Sequence, residues 1–400
     1  MHIKPRVLNL KNKRGIEEEL EKIGVSREGK RILSQKANLY LIKLEGIPSQ
    51  AANLLKQEML SVSADAAIKK EVASFAVPKS DVLLMGTEAH YNKVIPKLRR
   101  QPFSLSHLSG ELEQILKNIK RERFILSLGD KQLDLAKKVA IMGILNLTPD
   151  SFYDGGRYTQ EKKALVRVEE IVSHGADLID IGGESTRPGA TKVSTEEELR
   201  RIIPIIGKIK ELFEIPVSVD TYKAQIAQEA IEAGADMIND ISGLRFDSEL
   251  KQVVAKYKVP LVLMHIKGSP KDMQNNPYYD SLLGEIISYL RESIVIAKEA
   301  GIDEERIVID PGIGFGKSAR HNLEIIDKLS ELKSLGRPIL IGVSRKSFIG
   351  NVLNLPLQER LEGSLAATCL AVTQGARMVR THDVNETRRA IALTQAIINS

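Results

Sequence analysis

Asn146, Asp220, Asn239, Asp310, Lys346, Arg380 and His382 share one kind of placement. Each stands at, or within a few residues of, the end of a short apolar run. Two chemistries separate within this set. Asp220, Asn239 and Asp310 offer acceptor oxygens, and a carboxylate can take two N–H bonds at once, which suits the amino and ring N–H edge of a flat heterocycle. Arg380, His382, Lys346 and Arg187 offer cations, which suit an anion such as diphosphate. Asn146 adds a hard amide oxygen of the kind Mg2+ accepts beside phosphate oxygens and water. Each residue alone has a plainer reading. A lone Asp after a strand caps the next helix, and His265 can be a hydrogen-bonded wall residue. As a set they require a fold that gathers strand ends at one mouth.

The elements that would do this begin after Lys138. Short apolar strand bodies at 139–145, 178–181, 217–219, 237–238, 261–264, 307–309, 339–341 and 378–379 alternate with amphipathic helices. Runs that are apolar throughout fit strands buried on both faces. The helices are expected at 160–173, 195–212, 222–233, 281–299, 323–335 and 358–373. In the first, Leu165, Val168 and Val172 form the inward stripe. A small repeat keeps the same register. His174-Gly175-Ala176-Asp177, Ala233-Gly234-Ala235-Asp236 and Gln374-Gly375-Ala376-Arg377 each sit where a helix gives way to a strand, and glycine there supplies a left-handed helix terminus. Eight units in this length predict a (β/α)8 TIM barrel over 138–400, with its site at the carboxyl ends of the strands. A doubly wound open sheet is the alternative, but it has fewer strands and a glycine-rich first turn. Gly312, Gly314 and Gly316 follow a strand without opening a helix, so they read as a close backbone approach to a planar ligand and not as a dinucleotide fingerprint.

Residues 1–137 read as a smaller mixed α/β domain with no glycine-rich phosphate loop and no Cys/His cluster. His90 and His107 read as surface residues. The basic stretches 97–100 and 117–123 either touch acidic partners or form solvated helix faces. The net charge of +6 is uneven: residues 1–138 hold 26 Lys+Arg against 16 Asp+Glu, and the remainder 32 against 36. The basic pI is therefore no sign of nucleic-acid binding by the barrel. With no Trp and 4% aromatics, material for base stacking is scarce. No apolar run approaches the roughly 20 residues of a membrane span. The start lacks a secretory apolar core, and the single Cys369 reads as a buried thiol. These features lead to the expectation of a cytoplasmic enzyme with no membrane or nucleic-acid partner.

With these motifs in hand, residues 139–400 resemble the dihydropteroate synthase family of the folate pathway. The resemblance rests on Asn146–Gly156, Gly182–Gly189 (Gly-Gly-Glu-Ser-Thr-Arg-Pro-Gly), Ser218–Thr221, Ile238–Asp240, Met264-His265, Asp310–Lys317, Gly342–Ser347 and Arg380–Asp383, in the family's order. It implies a transferase (EC 2.5.1.15) that condenses 6-hydroxymethyl-7,8-dihydropterin diphosphate with p-aminobenzoate, by dissociative loss of diphosphate assisted by Mg2+. It also implies that Asp220, Asn239, Asp310 and Lys346 bind the pterin against a wall that includes Met264. Asn146, Arg380 and His382 then take the diphosphate, with Asn146 also at the metal. Phe152, Thr186, Arg187, Pro188, Phe315 and Ser347 take p-aminobenzoate, and Asp310, Lys346, Arg380 and His382 are the catalytic group. Sulfonamide sensitivity and a homodimer paired through outer helices follow as family expectations. Lys267 and Tyr153 depart from the family's usual residues. A pterin-binding methyltransferase has no reason to keep Arg380, His382 and Ser347, and a non-catalytic scaffold should have lost some strand-end residues. Nothing in the resemblance speaks to residues 1–137.

Overall fold

A computed structural model describes residues 5–8, 10, 13–147, 157–185 and 193–399, without the side chains of 157–160. The described chain forms two compact units, Met1–Lys117 and Asn118–Ser400.

The first unit holds an antiparallel sheet of β1 (Leu39–Pro48), β2 (Asp65–Ala67) and β3 (Lys79–Thr87), in the order β1-β3-β2. Val82 and Leu84 alternate inward from β3 and meet Leu55 and Met59 of helix Ser49–Leu60, so strand and helix periods bury one shared face. His90, expected at the surface, instead closes a capping box: its Nδ1 accepts the Thr87 N–H at 3.2 Å at the start of helix Glu88–Leu98. His107 lies exposed, 3.7 Å from Glu111.

The second unit begins with a hairpin, β4 (Ile125–Leu128) and β5 (Lys131–Asp134). The barrel strands follow: β6 (Ala140–Asn146), β7 (Leu178–Gly182), β8 (Val217–Asp220), β9 (Met237–Asp240), β10 (Leu261–Met264), β11 (Ile307–Asp310), β12 (Ile339–Ile341) and β13 (Ala376–Thr381). They close in sequence order, all neighbours parallel, with β13 returning to β6. The expected (β/α)8 architecture is present.

Period-2 alternation then sorts the side chains. Leu145, Ile181, Val219, Ile238, Leu263, Ile309, Ile341 and Val379 point outward into the cluster shared with the surrounding helices. Helix Thr195–Leu212 is typical of these, burying Ile202, Ile205, Ile206 and Ile209 at helical spacing behind the Ser194 N-cap. Inward at the amino end lie Met142, Leu178, Met237, Val262, Val308, Leu340 and Met378. Phe124, Leu126, Leu128, Leu133 and Leu135 of the hairpin region join that same cluster and seal the barrel floor. This packing is why the units divide at 117/118 and not at the 137/138 boundary read from the sequence.

The glycine repeat has the expected geometry, with φ of +85°, +108° and +107° at Gly175, Gly234 and Gly375. The residue after the repeated Ala has a role of its own. Asp177 Oδ2 accepts the Ile141 N–H and Asp236 Oδ2 the Val217 N–H, each at 2.8 Å, stitching the start of the preceding strand.

Candidate active site

Continuing the same alternation toward the carboxyl end, the last inward positions are Asn146, Gly182, Asp220, Asn239, Met264, Asp310 and Arg380. Register sets several side by side: Asn146 opposite Gly182, Asp220 opposite Asn239, and Met264 opposite Asp310. Gly182 leaves space over the mouth. A Cβ there would stand 3.7 Å from both Asn146 Oδ1 and Asp220 Cβ, so the amide and the carboxylate face one gap.

One residue at the centre was not read from the sequence. Asp180 stands inside β7, whose body reads as apolar, and it is fully buried. Its Oδ2 accepts Arg380 Nε at 2.6 Å and Asn239 Nδ2 at 3.1 Å. Arg380 also donates through Nη2 to Asp220 Oδ2 at 2.9 Å. One guanidinium thus spans two carboxylates, and Asn239 is oriented by one of them. The signal was available: an acid within a buried strand is tolerated only when paired.

The pairing is incomplete. Asp180 Oδ1 and Asp220 Oδ1 are buried and have no hydrogen-bond partner among the described residues. Burial pushes the Asp220 carboxyl above the ordinary carboxylate range; the Arg380 charge opposes this and Asp180 adds to it. For Arg380, burial works against the charge, but Asp180 and Asp220 outweigh it and hold the guanidinium protonated.

Asp310 and Lys346 form the other side. Asp310 Oδ1 accepts the Gly312 N–H at 2.6 Å. Burial raises its carboxyl above the usual range against the pull of Lys346. Lys346 donates to the Ile313 carbonyl and stands 4.9 Å above the Phe315 ring. Its ammonium is brought down to about 8 by burial, with Asp310 opposing and Arg380 reinforcing. Phe315 packs beside Met264, with Ile241, Ile266 and Met273, as an apolar wall.

Lys346 and Ser347 are held by a clamp. Arg345, in the left-handed region at φ +52°, makes a two-bond fork with Asp383 at 2.9 and 2.7 Å. Beside it, Ser344 Oγ lies 3.0 Å from His382 Nδ1 and accepts the His382 backbone N–H. Ser347 opens helix Ser347–Leu353 and is exposed. Phe152, Thr186, Arg187 and Pro188, and also Tyr153, lie outside the described residues.

The glycines after β11 bring this loop's backbone against neighbouring backbone. A Cβ on Gly312 would meet the His265 carbonyl oxygen at 1.9 Å, and one on Gly316 the Lys267 carbonyl oxygen at 2.4 Å. They let this loop lie against the exit of β10; Gly314, 3.5 Å from Lys346 Cδ, and Gly312, 3.3 Å from Met264 Cγ, also have site neighbours. The same packing buries Lys317, also unread from the sequence. Its Nζ contacts His265 Nδ1 at 2.8 Å, the Phe315 carbonyl at 3.0 Å and the His265 carbonyl at 3.4 Å. His265, lowered to about 2 by burial and next by the Lys317 charge, is a neutral wall residue. Lys267 turns away to Glu285 at 2.9 Å.

The sequence pattern of the family described as pterin binding enzyme matches residues 142–382. The dihydropteroate synthase of Clostridium beijerinckii is 50% identical over 274 residues, 68% of this chain and 99% of that protein. A Halobacterium salinarum protein, named a probable bifunctional folylpolyglutamate synthase/dihydropteroate synthase, is 38% identical over 357 residues, 88% of this chain and 42% of its own length. That likeness is longer than the barrel unit, so it reaches into the N-terminal third. Among solved structures, dihydropteroate synthase from Xanthomonas albilineans in complex with 7,8-dihydropteroate superposes with a TM-score of 0.63 at 40% identity, covering 69% of this chain and 99% of that one. The chain belongs to the dihydropteroate synthase family of pterin-binding enzymes, transferases of folate biosynthesis.

Proposed function

We propose that the barrel condenses 6-hydroxymethyl-7,8-dihydropterin diphosphate with p-aminobenzoate to give 7,8-dihydropteroate and diphosphate. The observation that carries this reading is the pair of buried carboxylate oxygens, on Asp180 and Asp220, that have no partner among the described residues, beside Arg380 and Asn239. A flat heterocycle with several N–H donors satisfies such oxygens; water alone would need ordered positions. Asp220, Asn239 and Asp310 take the donor edge of the pterin, Lys346 donates to its acceptor side, and Met264 lies against the ring. Arg380 Nη1, which makes no hydrogen bond among the described residues, is left to face the diphosphate, together with His382.

In the reaction the C–O bond from the pterin methylene to diphosphate breaks, and the ring delocalises the positive charge. Asp310 stabilises that charge, while Arg380 and His382 stabilise the departing anion. The arylamine nitrogen of p-aminobenzoate then forms the C–N bond and loses a proton. Phe315 lines the aminobenzoate ring, and Ser347 N–H and hydroxyl take its carboxylate. Asn146 suits Mg2+ as a single hard oxygen facing the mouth. No cluster of three His, Cys, Asp or Glu exists among the described residues, which fits an ion carried mainly by substrate phosphates. When bound, Mg2+ neutralises the leaving diphosphate.

A homodimer is part of this reading. It is supported by Leu370, Leu393 and Ile397, 59%, 65% and 66% exposed on the neighbouring helices Leu361–Thr373 and Val384–Asn399. Light scattering should give twice the chain mass, and Leu393→Glu should halve it. A reducing, cytoplasmic setting is consistent with the one free cysteine.

The deciding experiment is Asp310→Ala. Turnover should fall at least about a thousandfold, about 4 kcal/mol of transition-state stabilisation, with an unchanged circular dichroism spectrum. Turnover within about tenfold of the parent would remove Asp310 from the mechanism, and failure of the parent to release diphosphate on adding p-aminobenzoate would remove the activity itself.

A further inference from the structure

The basic stretch 117–123 found no use in the site above, and its surroundings lie at the other end of the barrel. There a cavity of about 50 Å3 is lined by Arg121, Glu122, Phe124, Lys333, Arg337 and Arg377, among others. That is room for a few waters or one small oxyanion, since a water needs about 10–15 Å3 by the same measure. Four of these residues are cations and one is an acid.

Two of the cations are already held. Arg337 donates to Glu304 through its carboxylate and its carbonyl, and Arg121 pairs with Glu305. Even so, Arg337 is only 6% exposed and its Nε is buried without a partner among the described residues. The other two are not held. Neither Lys333 nor Arg377 has a salt bridge among the described residues. Burial lowers the Lys333 ammonium, the Arg377 charge lowers it further, and Glu122 opposes.

The glycine repeat shows that this cluster is built. In its first two copies the position after Gly-Ala is an Asp bonded to a strand N–H and paired with a lysine, Asp177 with Lys138 and Asp236 with Lys210. In the third copy the same position is Arg377, so a carboxylate has been exchanged for a guanidinium on the cavity wall. Gly375 of that copy lets the lysine in: a Cβ there would stand 2.2 Å from Lys333 Cε.

Four cations around a small cavity, three of them half-buried and one buried with a donor unused, make a receptor for a compact multivalent anion. We propose that the amino end of the barrel, at Lys333, Arg337 and Arg377, is a binding site for a phosphate-class oxyanion, separate from the carboxyl-end mouth. The cavity volume matches the tetrahedral group itself. The proposal does not depend on the activity assigned to the mouth.

The test is calorimetric titration of the full chain with inorganic phosphate at fixed ionic strength. The parent and the double variant Lys333→Gln/Arg377→Gln are compared, with phenyl phosphate as a second ligand. The parent should bind one equivalent that the double variant binds at least about tenfold more weakly. Turnover at the mouth should stay within about twofold, which also reports an intact fold. Phenyl phosphate binding as tightly as phosphate would show that the group belongs to a larger ester. Should the double variant not fold, Arg377→Gln alone is titrated against Arg377→Lys, and only the latter should keep the site. Identical phosphate isotherms in parent and variants would overturn the proposal.

Discussion

The two ends of the barrel are made from the same strands and differ by a few residues of register. At the amino end the inward layer is Met142, Leu178, Met237, Val262, Val308, Leu340 and Met378, closed by the hairpin leucines. One turn of the alternation further on, the inward layer is Asp180, Asp220, Asn239, Asp310 and Arg380. The first layer is filled by apolar side chains; the second leaves carboxylate oxygens without donors among the described residues. The apolar layer that holds the strands in register and the chemistry assigned to the mouth thus lie at different levels of a common framework, so the mouth can keep unsatisfied groups.

The largest expected effect separates the ends by truncation. Removing residues 1–137 strips Phe124, Leu126, Leu128, Leu133 and Leu135 from the floor and should give an unfolded or aggregated barrel, whereas removing 1–117 should give a soluble one; circular dichroism and light scattering report both. Equal behaviour of the two truncations would break the comparison. Next, Arg380→Ala leaves Asp180 and Asp220 facing each other in the interior. It should cost about 3–5 kcal/mol of stability in urea unfolding and also abolish turnover, marking this as the position where the two properties meet. Leu126→Ala should cost about 2–5 kcal/mol and leave kcat/KM unchanged; a loss of activity at full folding would mean the ends are coupled.

The smallest effect concerns pH. Lys346 is lowered from 10.5 to about 8. If its ammonium is needed for pterin binding, kcat/KM should fall as pH rises through about 8, and Lys346→Arg should remove that limb. The sign for stability is opposite. A depressed base contributes fully above its unfolded pKa of 10.5 and loses that contribution as pH falls through 8, so any stabilisation by Lys346→Met should be greater at pH below 8 than above 10.5.

The mouth was legible because a strand end is a one-dimensional signal: apolar alternation stops and a polar residue appears, as at Asn146, Asp220 and Asp310. Asp180 and Lys317 were not legible in that way. They lie within an apolar run and within a glycine loop, and they make sense only through partners 200 and 52 positions away in sequence. The hairpin's place with the barrel is hidden for a related reason, since its leucines look the same whichever core they fill. The glycines of 312–316 mark a close approach of backbone, but the backbone they approach, at His265 and Lys267, has no sequence signal.

The unpartnered oxygens of Asp180 and Asp220 also bear on the lifetime of the protein. A ligand that binds only the folded barrel and supplies the missing donors holds the chain folded in proportion to the logarithm of its concentration. Thermal midpoint should therefore climb with the pterin substrate more than with p-aminobenzoate. In a cell, scarcity of that first substrate would expose more chain to proteases, so the abundance of the protein would follow the supply of its own substrate.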